Sequence, residues 1–438
     1  MTARSCRALV LVLTVVLSTL LLAPAPARPE GRSQVPPRPP RLTVLAFAAS
    51  RSGGIPTSPS FQGILSREVP REIGRRMDAL SKLETRFYVL RTTLRGRPQF
   101  VVAETLSSPK DARLIGLGVQ AIYVLDGEVS ATDRLKLRVR LQETKTGRIL
   151  ANKDYAEPTE KAGALLERVA RDLLLALPGK LGAQARTAPV PGHEPTWAAL
   201  LAYLEAEDLR FSRESGVGEA KLAAIFDRYL LARQLDPDYA RPGEALTELA
   251  LMALKQGAGT ADVPLGALER LVALHPTAET QGALARGLEQ AGRPVDAQEA
   301  WKKSVEADPK FVLGWLNIAE GKRRGGDYRG ATSALEKAVR IGLPTRRLQA
   351  RAESDLGALY VELGEADKAI AVLEASVKAN PKDPEAYFRL GSAYGRKGAQ
   401  SPKDNKRWID LATEAFKTSD RLKGLDETPF EPPARGGM

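Results

Sequence analysis

The stretch Leu356-Gly357-Ala358-Leu359-Tyr360, followed by Ala369, Leu373, Ser376 and Pro381, decides the fold of most of this chain. Leu356, Gly357 and Tyr360 fall on one face of a helix, and Ala369, Leu373 and Ser376 fall on one face of the next. Gly357 and Ala369 are small where two helices must nearly touch, and Pro381 lacks a donor and stops the second helix. Working outward, the same register recurs upstream at Trp315, Ile318, Ala319, Ala331, Leu335 and Ala338. Before that it appears at Leu284, Leu288, Ala297, Trp301 and Ser304, and downstream a further unit opens with Tyr387, Leu390, Gly391 and Tyr394. A chance run of amphipathic helices would carry the apolar stripe but not this register of small residues and closing prolines.

Pro276, Pro309, Pro344 and Pro381 close successive units, spaced roughly every 35 residues, close to the roughly 34 of a tetratricopeptide repeat. This part of the chain resembles that family. Two degenerate units are expected upstream, one from Trp197, Leu200 and Leu204 to Tyr229, Leu235 and Pro237, the other from Leu246 to Pro276. A Lys- and Pro-rich surface loop is expected between Tyr394 and Trp408. The count is about six units over residues 196–425. Each helical hairpin has an apolar face too large to hide alone, so the units must stack.

Residues 42–177 read differently. Leu42 to Phe47 is an apolar strand, Ile64 to Leu83 a helix, Arg86 to Leu90 a strand and Lys110 to Leu117 a short helix. Three strands follow, Ala121 to Val129, Arg134 to Thr144 and Arg148 to Tyr155. The middle one alternates Leu135, Leu137, Val139 and Leu141 with Lys136, Arg138 and Arg140, which puts one face on a core and the other in solvent. A last helix spans Thr159 to Leu177. The fold class is therefore an α/β N-terminal domain followed by an all-α solenoid. The strand Leu42 to Phe47, the run Leu117-Gly118-Val119 into Tyr123-Val124-Leu125-Asp126-Gly127-Glu128-Val129, the string Arg138-Val139-Arg140-Leu141-Gln142 and the turn Lys145-Thr146-Gly147 together resemble the TolB amino-terminal-like domain, a relative of the CsgG and FlgO folds. That resemblance implies a bacterial envelope setting. Gly118 and Gly127 are expected where φ is positive or strands approach closely, and Gly147 at a hairpin. Ser50 to Ser60 stands out as a Gly-, Pro- and Ser-rich insertion.

The ends carry targeting signals. Arg4 and Arg7 precede an apolar run from Ala8 to Leu22, and Ala25-Pro26-Ala27 offers a processing site, so residues 1–27 read as a secretory signal peptide. An uncleaved anchor is the alternative. The one cysteine, Cys6, lies before that run, so the exported chain holds no thiol. Residues 28–41 form a Pro/Arg-rich linker, 178–195 a second linker and 426–438 a tail without apolar pattern. The formal charge of +12 suits anionic or acidic partners. No nucleic-acid reading motif is present, so nucleic acid is not an expected partner.

Catalysis has little material. The two histidines, His193 and His275, lie in the linker and at a repeat boundary. Neither an HExxH nor a GxSxG spacing occurs, nor a phosphate-binding glycine loop, so no enzyme activity, metal or cofactor is expected. Glu205 and Asp208 sit at helical spacing and read as solvated charge. Recognition remains. The tetratricopeptide resemblance implies that first helices line a groove, and the register assigns Glu279, Arg286, Glu289, Glu320, Arg323, Arg324, Arg351, Glu362, Phe388 and Arg396 to it. Relatives that clamp a C-terminal carboxylate use Lys, Asn and Arg. Asn317 and Arg351 match two of those positions, whereas Gly282, Arg286 and Asp355 depart. The expected function is an exported, periplasmic protein-interaction adaptor binding envelope proteins or acidic peptides through Arg286, Asn317, Arg323, Arg324, Arg351, Phe388 and Arg396. The alternatives are a structural component of an outer-membrane secretion, motility or polysaccharide-export machine, and a regulatory sensor acting on a separate enzyme.

Overall fold

The computed structural model describes residues 41–49, 61–81, 83–88, 91–94, 97–100, 108–187, 193–213, 219–257 and 259–424. Residues 1–27, expected to be a signal peptide, residues 28–40 of the expected first linker, the Ser50–Ser60 insertion and the tail from 426 lie outside them. The chain forms two compact units, Met1–Pro242 and Gly243–Met438.

The first unit is built on a sheet. Its strands are β1 (Arg41–Leu45), β2 (Ala48–Ala49), β3 (Glu84–Tyr88), β6 (Tyr123–Ala131), β7 (Arg134–Glu143) and β8 (Ile149–Pro158), in the order β3-β1-β6-β7-β8 with β2 also on β6. A separate ribbon pairs β4 (Arg91–Leu94) with β5 (Arg97–Phe100). β1 runs parallel to both β3 and β6, while β6, β7 and β8 form an antiparallel meander with Leu125 opposite Leu141 and Leu137 opposite Tyr155. The alternation predicted for β7 is real: Leu135, Leu137, Val139 and Leu141 are buried, and Lys136 and Arg138 are exposed. Arg140 departs from it. It is buried in a bidentate pair with Asp126, with Nε 3.0 Å from Oδ1. The helix α2 (Pro109–Gly118) packs on β6 and β7. Helices α1 (Phe61–Leu80) and α3 (Ala162–Ala176) pack on the sheet and on each other.

Several expectations shift here. Gly118 ends α2, and the residue in the left-handed region is Gln120 at φ 56°; the turn to β6 needs positive φ two residues later than supposed. Gly147 is left-handed at φ 79°. The second linker is partly helical, α4 (Lys180–Thr187), and its end is fastened. His193 Nε2 lies 2.8 Å from Asp236 Oδ1, and the Thr196 N–H donates to Asp236 Oδ2 at 2.8 Å.

Twelve helices follow among the described residues: α5 (Trp197–Arg213) packs with α6 (Glu219–Leu235), α7 (Arg241–Gln256) and α8 (Asp262–Leu274) come next in the chain, and then α9 (Ala278–Gln290) packs with α10 (Pro294–Ala307), α11 (Val312–Arg324) with α12 (Tyr328–Ile341), α13 (Arg346–Glu362) with α14 (Ala366–Ala379), and α15 (Pro384–Gln400) with α16 (Asn405–Lys423) as hairpins. The α5–α6 hairpin falls within the first unit rather than with the later repeats. In the second unit one apolar cluster runs from Leu265 to Ala415 and takes in Trp301, Ile318, Leu335, Leu356, Leu373 and Leu390. Trp301 and Leu373 are fully buried.

The turns inside three of these hairpins, α9–α10, α11–α12 and α13–α14, repeat atom for atom. Gly292, Gly326 and Gly364 are left-handed at φ 74°, 79° and 77°, and the residue after each donates its N–H back to the helix: Arg293 to Leu288 O, Asp327 to Lys322 O and Glu365 to Tyr360 O, at 2.8–2.9 Å. This satisfies carbonyls the helix leaves open and fixes the reversal. The last hairpin differs. The loop expected between Tyr394 and Trp408 is mostly helix, because α15 continues to Gln400. There Lys397 reaches Asp367 and Gln400 Nε2 reaches the Gly364 carbonyl at 2.8 Å. These bonds tie the extra turn of α15 to the preceding hairpin's turn.

Candidate interaction groove

The first helices α9, α11, α13 and α15 each bury one side and expose the other. On α13 the buried side holds Ala350, Ala352, Ser354, Leu356, Gly357, Leu359 and Tyr360, and Arg351 falls on the exposed side. Thr345 caps this helix through the Leu348 N–H, and Asp383 caps α15 through the N–H groups of Glu385 and Ala386. Each cap satisfies an orphan donor and fixes where its helix starts.

The seven residues expected to bind fall into two sets. Arg286, Arg351 and Arg396 are exposed, and none has an ion-pair or hydrogen-bond partner among the described residues. Phe388 is 45% exposed, with its ring 5.4 Å from Phe416 and the Lys423 ammonium 5.2 Å from its centroid. Leu313 and Leu348 are likewise large, apolar and exposed on first helices. These residues present surface to solvent.

Asn317, Arg323 and Arg324 are engaged within their own helix. The Asn317 side chain donates to Leu313 O of its own helix at 2.8 Å. Arg323 makes two bonds to Glu320, at 2.8 and 2.9 Å, and Arg324 a third at 2.8 Å. The hydrogen bond from Arg323 holds the Glu320 carboxyl below its ordinary range, with Arg324 adding to the effect. The three residues therefore form a local cluster spaced one helical turn apart, and a ligand carboxylate would have to compete with Glu320. Glu289 is also structural, accepting from Trp301 Nε1 at 3.1 Å.

Arg389 had not been singled out. It spans two repeats, donating to Asp355 at 2.6 Å and Ser354 Oγ at 3.1 Å on α13, and to Glu385 at 3.1 Å on its own helix. Asp355, a departure from the carboxylate-clamp pattern, is the counter-charge of this bridge. The sequence signal was present in the spacing of Asp355 and Arg389 on successive first helices, but nothing in one sequence says that the two meet. The Glu205 and Asp208 reading needs correction as well. Glu205 lies 3.3 Å from Arg228, but Asp208 is buried and bound by Arg67. Among the described residues no group of three or more His, Cys, Asp or Glu could hold a metal ion, and no helix is long and apolar enough to cross a membrane.

Residues 357–398, from the middle of α13 to the end of α15, match the family model described as TPR repeat. The class is therefore a helical-repeat solenoid of the tetratricopeptide type carried behind an α/β sheet domain. Among solved structures the chain is similar to MamA, at 25% identity over 39% of this chain and 94% of that one, with a TM-score of 0.33. MamA from Desulfovibrio magneticus RS-1 shares 18% identity over 42% and 97%, with a TM-score of 0.34. YrrB, titled a TPR protein with an unusual peptide-binding site, shares 14% over 45% and 98%, also at 0.34. No curated protein matches the chain.

Proposed function

We propose that this chain is an exported, non-enzymatic adaptor of the bacterial cell envelope that captures partner peptides on the first-helix face of its repeats. The observation that carries the reading is the set of unpartnered guanidinium groups, Arg286 on α9, Arg351 on α13 and Arg396 on α15, on first helices that also expose Leu348 (α13) and Phe388 (α15), with Leu313 exposed on the intervening α11. A guanidinium fork takes a carboxylate in two parallel bonds, and an exposed ring takes an apolar side chain. The charge excess lies almost wholly in residues 1–242, the second unit being close to neutral. Capture then rests on a few placed forks, not on a broad positive field, so it is only moderately salt-sensitive. Export is supported by Arg4, Arg7, the apolar run Ala8 to Leu22 and the Ala25-Pro26-Ala27 site. The TolB amino-terminal-like reading of residues 42–177 agrees with that setting.

The test uses the full chain as bait in envelope extract, comparing the parent with Arg351→Glu/Phe388→Ala. Arg351 is solvent-facing and Phe388 about half so, packed on Phe416; melting should fall only slightly, as it should in Phe388→Ala alone, while specific capture is lost. A Lys303→Glu control, on exposed surface of a second helix, should capture as the parent does. Equal capture by parent and double variant refutes the groove. Intact mass of the envelope-fraction protein tests export: loss of residues 1–27 supports it, and retention of Met1 overturns the cleaved leader.

A further inference from the structure

The sheet domain meets the first helical hairpin through a buried ionic layer that no motif announced. Arg67 on α1 and Asp208 on α5 form a bidentate pair, at 2.6 and 2.9 Å, with side chains 1% and 4% exposed. One residue along α1, Glu68 is fully buried and neither of its oxygens makes a hydrogen bond. Its nearest cation is Arg71, with Nη1 3.0 Å from Oε1 but without hydrogen-bond geometry. That guanidinium lies against two rings, 4.4 Å from the centroid of Phe87 and 3.9 Å from that of Phe211 on α5. The other charges facing Glu68 are Arg75 on α1 and Glu207 and Asp208 on α5. Glu207 is already bound by Arg75 and by the Tyr229 hydroxyl from α6, and Glu72 by Arg75 and Arg76. Each neighbouring carboxylate is hydrogen-bonded to a cation; Glu68 is not, and its burial outweighs the attraction of Arg71 and Arg75.

We propose that Glu68 is the proton-binding group of a latch: with its proton the α5–α6 hairpin stays docked on α1, and without it the hairpin loosens. A buried carboxylate that keeps its charge must do without water or donors, which is costly, whereas its neutral form is tolerated. The direction follows from linkage. Burial pushes the Glu68 carboxyl up from 4.5 to about 7. A raised acid favours the docked state below its undocked value, and that advantage drains away as pH rises from about 4.5 to about 7, then stays constant. The docking equilibrium should therefore weaken on the order of a hundredfold across that window. The arrangement converts proton activity into coupling between the sheet layer and the helices that follow it.

Hydrogen exchange of the full chain at pH 5 and pH 8, corrected for intrinsic rates, tests this. In the parent, α5 and the facing turns of α1 should lose on the order of a hundredfold in protection at pH 8, while α11 to α14 should not change. Glu68→Gln, isosteric and uncharged at both values, should abolish the difference. The same loss in parent and Glu68→Gln overturns the latch. A carboxyl-labelled spectrum of the parent gives a check independent of the variant's folding: a Glu68 midpoint near 7 supports the proposal, and one near 4.5 overturns it.

Discussion

Gly357→Ala should change sign with its neighbour. Alanine is worth about 1 kcal/mol more than glycine in a helix interior, so on propensity alone the substitution stabilises. In the structure a methyl at that position would lie 2.7 Å from Leu373 Cδ2 and 2.8 Å from Cδ1, and closer still to Cγ. Leu373 is fully buried, and Cγ is its branch point, so no swing of the chain end relieves the clash; α13 and α14 must part. Overpacking of this kind costs about 1–3 kcal/mol, and contacts this short belong at the upper end. The net expectation is a loss of about 1–2 kcal/mol in the parent. Leu373→Ala alone should cost about 2–5 kcal/mol through the cavity it leaves. In that background the methyl enters vacated space, and Gly357→Ala should restore about 1 kcal/mol. The coupling of about 2–3 kcal/mol is large for a pair in contact. Because repeat arrays open unit by unit, the assay is hydrogen exchange of the α13 and α14 amides alongside urea unfolding. If Gly357→Ala stabilises the parent by about 1 kcal/mol, the close helix approach is wrong, and with it the reason a glycine stands there.

Two further outcomes follow from buried groups. Trp301→Ala should cost about 3–5 kcal/mol, and Trp301→Phe only about 1, mainly the bond to Glu289; equal urea midpoints for the two variants would place Trp301 outside the core. Arg140→Met leaves Asp126 buried without its partner, which should cost about 3–5 kcal/mol at pH 8. Burial already pushes the Asp126 carboxyl up to about 6 despite the Arg140 bonds. A raised acid contributes stability at low pH that is lost as pH rises through that value, so removing the arginine should cost clearly less at pH 5, where Asp126 takes a proton, than at pH 8. Urea midpoints at the two pH values decide, and an equal cost at both would refute it.

The chain by itself determined the solenoid, because its packing is local. Each hairpin closes on residues within about 35 positions, so small residues at Ala319, Gly357 and Gly391, an apolar stripe and a closing proline are enough to specify the contact. It determined β7 for the same reason, since alternation depends only on which face is wet. What the tertiary structure decided are encounters between distant charges; the Glu320 pairs with Arg323 and Arg324, by contrast, lie at helical spacing within the sequence itself. Asp208 reads as solvated charge until α1 brings Arg67 against it across 141 positions of sequence. Asp355 and Arg389 each read as single surface charges until two first helices bring them to 2.6 Å. A charge carries no periodic signature of its partner: the same spacing serves a solvated face and a buried pair, and only the second element, arriving from elsewhere in the chain, removes the water and makes the difference.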